Sequence, residues 1–151
     1  MVLILSRAGG NEMKKILVTT DGSAESDKAI DRAIEVAKKD GAEVIVVNVA
    51  EDYCLIGLPE LDCDTIREIV MKESKGIMSA ALEKFKAAGI TARGIIERGR
   101  PADTIIEVIK REKVDEVIMA SHGKHGAKKI VMGSVTARVV EWAPCPVTVV
   151  K

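Results

Sequence analysis

The sequence predicts an α/β fold of three layers, α/β/α, around a five-stranded parallel sheet in the order 3-2-1-4-5. Two observations carry the prediction. Five short β-branched runs, Ile16 to Val18, Val44 to Val49, Ile90 to Glu97, Val117 to Met119 and Val147 to Val150, alternate with helical patterns. Within them, Val44 to Val47 and Val117 to Met119 are apolar without interruption, as strands covered on both faces are. Right-handed crossovers between parallel strands then place helices on both sides of the sheet.

The elements follow in order. After the first strand, Ser23 is an N-cap candidate for a helix that turns Ile30, Ala33, Ile34 and Ala37 inward and stops at Gly41. A long connection, "AEDYCLIGLPELDCD", follows the second strand and is placed to fold over a ligand or a partner. A second helix over about Asp64 to Ala88 carries Ile66, Ile69, Val70, Ile77 and Phe85 on its apolar stripe, with Gly76 midway and Gly89 as its stop. The third strand, "ITARGIIERG", is the most polar of the five and suits an edge. Pro101 and Asp103 mark the first turn of a third helix that buries Ile105, Ile106 and Ile109 and ends near Lys113. Ser134 is read as the cap of a short last helix ending at Trp142, and Pro144 and Pro146 force the exit into the final strand.

Length and composition bound the rest. A chain of 151 residues with 47% hydrophobic and 30% charged residues fits one domain with a buried core, and 2% aromatics make that core aliphatic. Residues 13–151 are expected to form the domain, with residues 1–12 as an N-terminal extension. Twenty-three basic side chains balance 23 acidic ones, so no global field favours DNA or an anionic membrane, and any anion site must be local. The apolar run from Val2 to Leu5 is too short for a signal peptide or a membrane span, so a cytoplasmic protein is expected. Cys54, Cys63 and Cys145 contain no C-x-x-C pair, and reduced thiols are the expectation. His122 and His125 have no further histidine or nearby cysteine to complete a zinc site.

In this strand order the topological switch lies between the first and fourth strands, which opens a crevice at their carboxyl ends. "VTTDGS" places Asp21 at its mouth, and "IMASHG" launches the stretch "ASHGKHGAKKIVMGS" from the other side. Gly123 and Gly126 let backbone amides approach a phosphate, Gly133 and Ser134 open a helix whose free N–H groups attract anions, and Lys124, Lys128 and Lys129 add charge. The plain alternative is a solvated surface loop. Asp21 can accept hydrogen bonds from ribose hydroxyls or face a phosphate-bound Mg²⁺ through water; alternatively, it only shapes the turn before the helix. There is no G-x-x-x-x-G-K-[ST] and no G-x-G-x-x-G after the first strand. Ser121, Ser134 and Cys145 are formal nucleophiles, but no catalytic set accompanies them.

Three stretches, "KKILVTTDGS", "GRPADTIIEVIKREKVDEVIMASHG" and "GSVTARVVEWAPCPVTVVK", closely resemble the universal stress protein family from Met13 to Lys151. The resemblance implies an adenine nucleotide alpha hydrolase-like, Rossmann-like fold. ATP-binding members carry Gly, two residues, Gly, nine residues, then Gly with Ser or Thr. Here Gly123, the nine-residue spacer, Gly133 and Ser134 match, and Ala120 stands at the first glycine's position. By this resemblance Asp21 and Val49 hold adenosine, Met119 and Ala120 lie against it, Gly123, Gly133, Ser134 and Val135 surround the phosphates, and Thr19 lines the same pocket. The effect of Ala120 depends on whether that position needs positive φ or only space. The family also implies a homodimer through the last strand, with "PVTVVK" as an apolar edge.

The leading expectation is a regulatory stress-response protein in which Mg·ATP, or ADP or AMP, alters a surface read by a protein partner whose identity the sequence does not give. A nucleotide-free dimeric interaction module of the same family is the alternative, and a slow ATP hydrolase is a third reading.

Overall fold

A computed structural model describes residues 13–56, 62–124 and 132–151. Strands β1 (Lys15–Thr19), β2 (Glu43–Glu51), β3 (Ala92–Gly99), β4 (Glu116–Ala120) and β5 (Val147–Val150) form one sheet in the order β3-β2-β1-β4-β5, every pair parallel. Helices α1 (Ala24–Asp40), α2 (Cys63–Ala87), α3 (Pro101–Glu112) and α4 (Ser134–Trp142) connect them. This is the predicted order, with "ARGIIERG" on an edge. The central strands carry the core: Ile16, Leu17, Val18, Val44, Ile45 and Val46 are wholly inaccessible.

Strand alternation sorts this core into two layers. Ile16, Val18, Val44 and Val46 face α1 and α2, while Leu17, Ile45, Val47 and Met119 face α3 and α4. Ser23 caps α1 by accepting from the Ser26 amide, and Gly41 closes it in the left-handed region at φ 63°. The α3 helix ends on Lys113 at φ 55°, where a lysine accepts the conformation a glycine would take more cheaply.

Three sequence expectations need correction. Ile69 is 62% exposed rather than inward. The stripe of α2 that packs is Ser74, Met78, Ala81 and Phe85, and Ile69, five residues before Ser74, lies about 140° round the helix from it. Gly133, not Ser134, is the N-cap of α4, and Ser134 is its first helical residue. Cys54 and Cys63 are disulfide-bonded and only Cys145 is free. A short 3-10 turn after β2, Tyr53–Ile56, brings Cys54 back to the start of α2, with the two Cα atoms 5.9 Å apart. Asp52 anchors the same turn: it is 9% exposed, accepts from the Cys54 amide and pairs with Arg67 at 3.2 Å.

Residues 1–12 and His125, Gly126, Lys128 and Lys129 lie outside the described residues. No helix among the described residues is long and apolar enough to cross a membrane.

Candidate nucleotide site

β1 and β4 pair as far as Val18 and Ile118, and beyond them their connections diverge to α1 on one face and toward α4 on the other. A cavity of about 680 Å³ opens there, within the range of small-molecule sites. The nine residues that the family resemblance implies all line it: Thr19, Asp21 and Val49 from the β1 and β2 ends, Met119 and Ala120 from β4, Gly123 from the following loop, and Gly133, Ser134 and Val135 from the start of α4.

The backbone contributes a recognition edge. The β1–β2 ladder ends with the Thr20 N–H donating to the Val47 carbonyl. Ladder alternation turns the N–H and C=O of Val49 the same way as those of Val47, but past the end of β1 and into the crevice. A donor and an acceptor so placed can pair with a planar ligand that presents an acceptor beside a donor. Val47, Val49, Ile105 and Met119 supply an apolar wall beside it.

Asp21 stands between this edge and the loop. Its Oδ1 accepts from the Ser23 amide at 3.0 Å and the Ser23 hydroxyl at 2.5 Å, and its Oδ2 accepts from the Lys124 amide at 2.6 Å. Burial pushes the carboxyl up, but the Ser23 hydroxyl and the Ser23 and Lys124 amides outweigh it and hold the group below the ordinary aspartate value. Asp21 is therefore an anion at neutral pH and a strong acceptor. The Lys124 ammonium pairs with Glu73 of α2 across the cavity.

At the other end α4 presents its N-terminus. Gly133 is held by its N–H to the Ser121 carbonyl at 2.8 Å, and the Thr136 hydroxyl donates to the Ala120 carbonyl at 2.8 Å. These bonds aim the free amides of the first helical turn at the cavity with the positive end of the helix dipole. The Ser134 hydroxyl is exposed beside them.

The glycines serve space more than torsion. Gly123 has no positive φ, but a Cβ there would run into Asp21 Oδ2. Ala120 ends β4 in ordinary strand pairing with Val150 and also has no positive φ. Its backbone does not need glycine, so only its methyl group bears on a ligand.

Of the formal nucleophiles, Cys145 is half-buried among the α3/α4 core residues, and burial, with Asp115 and Glu116 adding to it, pushes the thiol up to about 11. It is a neutral packing residue at physiological pH. The Ser121 hydroxyl lies 3.0 Å from His122 Nδ1. Among the described residues no cluster of His, Cys, Asp or Glu could hold a metal ion.

Sequence reasoning missed the side of the cavity made by α1, β2 and α2, where Ser26, Asn48, Glu73 and Ser74 line the wall. Asn48 had a visible signal, a carboxamide inside the apolar run "VIVVNVA". Ser74 had none, because a serine within a helix is ordinary until its neighbours are known.

Comparison with known proteins bears on the family and the fold. The sequence profile described as Universal stress protein family matches residues 12–151. The chain belongs to that family. Universal stress protein MJ0531 of Methanocaldococcus jannaschii is 36% identical over 146 residues, spanning 96% of this chain and 86% of the relative. Among solved structures, the protein MJ0577 of the same organism aligns with a TM-score of 0.81 at 31% identity, covering 91% of this chain and 95% of its own. A family member from Arabidopsis thaliana solved with AMP bound aligns with a TM-score of 0.67 at 20% identity, covering 91% of each chain, and shows the shared fold.

Proposed function

We propose that the crevice binds an adenine nucleotide, ATP in its fullest occupancy, and that the protein acts as a nucleotide-responsive regulator. The supporting observation is the order of recognition elements along one cavity. The Val49 peptide edge takes the base, Asp21 takes the ribose hydroxyls, and the amides of Val135 and its neighbours at the α4 N-terminus take the phosphates with the Ser134 hydroxyl. Thr19, Met119, Ala120, Gly123 and Gly133 form the surrounding surface. The Arabidopsis relative, with its bound AMP, supports the choice of adenine.

Magnesium fits only as the nucleotide's companion. Among the described residues, Asp21 is the one carboxylate at the β1 side of the crevice, and its oxygens already hold three protein donors. Asp21 would hold a phosphate-bound Mg²⁺ through water, and the ion would supply charge neutralisation for the triphosphate.

The last strand offers a dimer contact. β5 is an edge strand whose ladder bonds to β4 use the carbonyls of Pro146 and Val150. The alternation turns the N–H groups of Val147 and Val149 outward, toward a second copy.

Calorimetric titration of nucleotide-stripped protein with Mg·ATP, ADP and AMP tests the reading. Micromolar ATP binding that weakens as phosphates are removed supports it. Absence of binding by a folded dimer would replace it with a nucleotide-free interaction module.

A further inference from the structure

Charge around the cavity is lopsided. Among the described residues that line it, Asp21, Glu51 and Glu73 carry carboxylates and Lys124 is the one ammonium. Asp21 is spent on the Ser23 and Lys124 donors. Glu51 and Glu73 lie near the same phenol: burial first, then both carboxylates, push the Tyr53 hydroxyl above its ordinary value. The rim where β2 meets α2 is therefore negative, and the one described ammonium is paired with its Glu73.

The stretch that carries Lys124 is pinned at both ends. The Ser121 carbonyl accepts from the Gly133 amide at 2.8 Å, where α4 begins, and the Lys124 amide donates to Asp21 Oδ2 at 2.6 Å, just past the end of β1. Ser121 to Lys124 is at most about 11 Å of chain, so Lys124 branches from the short span between the helix N-terminus and Asp21. That span joins the phosphate and ribose positions of the nucleotide reading. The backbone of Lys124 is fixed, but its ammonium rides on a flexible four-carbon stem. Its pairing with Glu73 is open to water, with the two side chains 39% and 56% exposed, and a pair of that kind exchanges partners at little cost. A phosphate monoester, with up to two negative charges, is the stronger partner for the same ammonium.

We propose that Glu73 is a specificity-determining residue that competes with a ligand's phosphate for the Lys124 ammonium and so restrains the cavity's preference for phosphorylated ligands. The assignment rests on the nucleotide reading above. A phosphate that recruits Lys124 leaves Glu73 uncompensated near Glu51, whereas a neutral nucleoside leaves the pair intact. Glu73 thus opposes the phosphate and is indifferent to base and sugar.

Calorimetric titration of wild type, Glu73→Gln, Lys124→Met and the double variant with adenosine, AMP and Mg·ATP at one ionic strength tests it. Glu73→Gln keeps the side chain's shape on an exposed helix face, so the fold tolerates it. AMP and Mg·ATP should bind this variant about three- to tenfold more tightly than wild type, with adenosine within about twofold. Lys124→Met should weaken both phosphorylated ligands, and Glu73→Gln should gain less in that background than alone. The assignment is overturned if Glu73→Gln leaves the phosphorylated ligands unchanged or weakens them, the latter making Glu73 a positioning residue for Lys124. It is also overturned if all three ligands shift in equal proportion, as a structural role would give, or if the gain is the same size without Lys124. The AMP and Mg·ATP shifts decide on their own if adenosine binds too weakly to titrate. Failure of wild type and every variant to bind any of the three overturns the nucleotide reading and this assignment with it, a result distinct from binding that ignores Glu73.

Discussion

Gly123→Ala separates two explanations of the glycine in this loop. If the residue were kept for left-handed backbone, alanine would cost roughly 1 kcal/mol in torsional strain and leave Asp21 unaffected. The φ of Gly123 is not positive, and the added Cβ would instead meet Asp21 Oδ2. Relief requires the carboxylate to withdraw by about an ångström, toward ordinary van der Waals separation. That movement breaks the 2.6 Å bond from the Lys124 amide. A hydrogen bond to a charged group contributes about 1.5–3 kcal/mol, and solvent at the exposed Lys124 end reduces this to about 1–2 kcal/mol. Urea unfolding at pH 7 should show a loss of that size, and ATP affinity should fall about 5- to 30-fold as the ribose acceptor is displaced. The pH dependence identifies the cause. The folded Asp21 carboxyl sits below its unfolded value of about 3.9, so its contribution is complete above that pH and disappears as pH falls through the folded value. The gap between wild type and variant should therefore be full at neutral pH and close in acid, and the Asp21 carboxyl should titrate at higher pH in the variant by carbon NMR. An unchanged Asp21 titration, with any stability loss independent of pH, refutes the steric argument.

Ser134→Ala should weaken ATP by about 1–2 kcal/mol, through loss of one charge-assisted bond, and leave AMP nearly unaffected; calorimetry with both ligands checks the difference. Reduction of the Cys54–Cys63 disulfide, or Cys54→Ser with Cys63→Ser, opens a nine-residue separation and should lower stability by up to about 2.5 kcal/mol in chemical denaturation, with intact mass and thiol titration confirming the oxidised pair. Val149→Pro removes an outward N–H from the β5 edge without removing a ladder bond to β4, so if the proposed β5 dimer forms, sedimentation should show wild type as dimer and the variant as folded monomer.

The fold was legible because its signals are local and repeated. β-branched runs, an Ser23 cap, a Gly41 stop and Pro101 at a helix start each act within a few residues, and the unbroken apolar runs mark which strands lie inside. The failures fall where the deciding contact is remote. Nothing near Ile69 says that α2 rolls onto the sheet through Met78 and Phe85. Cys54 and Cys63 meet only because the turn at Asp52, held by Arg67 from the helix, doubles the chain back. Ser134 lost the cap position because the Gly133 N–H, held by the Ser121 carbonyl, fixes where α4 starts.

The candidate site divides along the same line. Its apolar wall and its helix N-terminus come from strand ends and a helix start, features that sequence patterns report. Its polar floor comes from α1, β2 and α2 converging, with residues whose types are unremarkable alone: two serines, a threonine and an asparagine. Packing without a ligand would favour apolar side chains here, since each of these hydroxyls and the carboxamide must be paired to be tolerated in the interior. Three of the four have their bonds arranged so that Asn48 Nδ2 is spent on the Thr20 carbonyl and the Thr20 proton on Ser26, which concentrates the unmet demand on a single atom, Asn48 Oδ1.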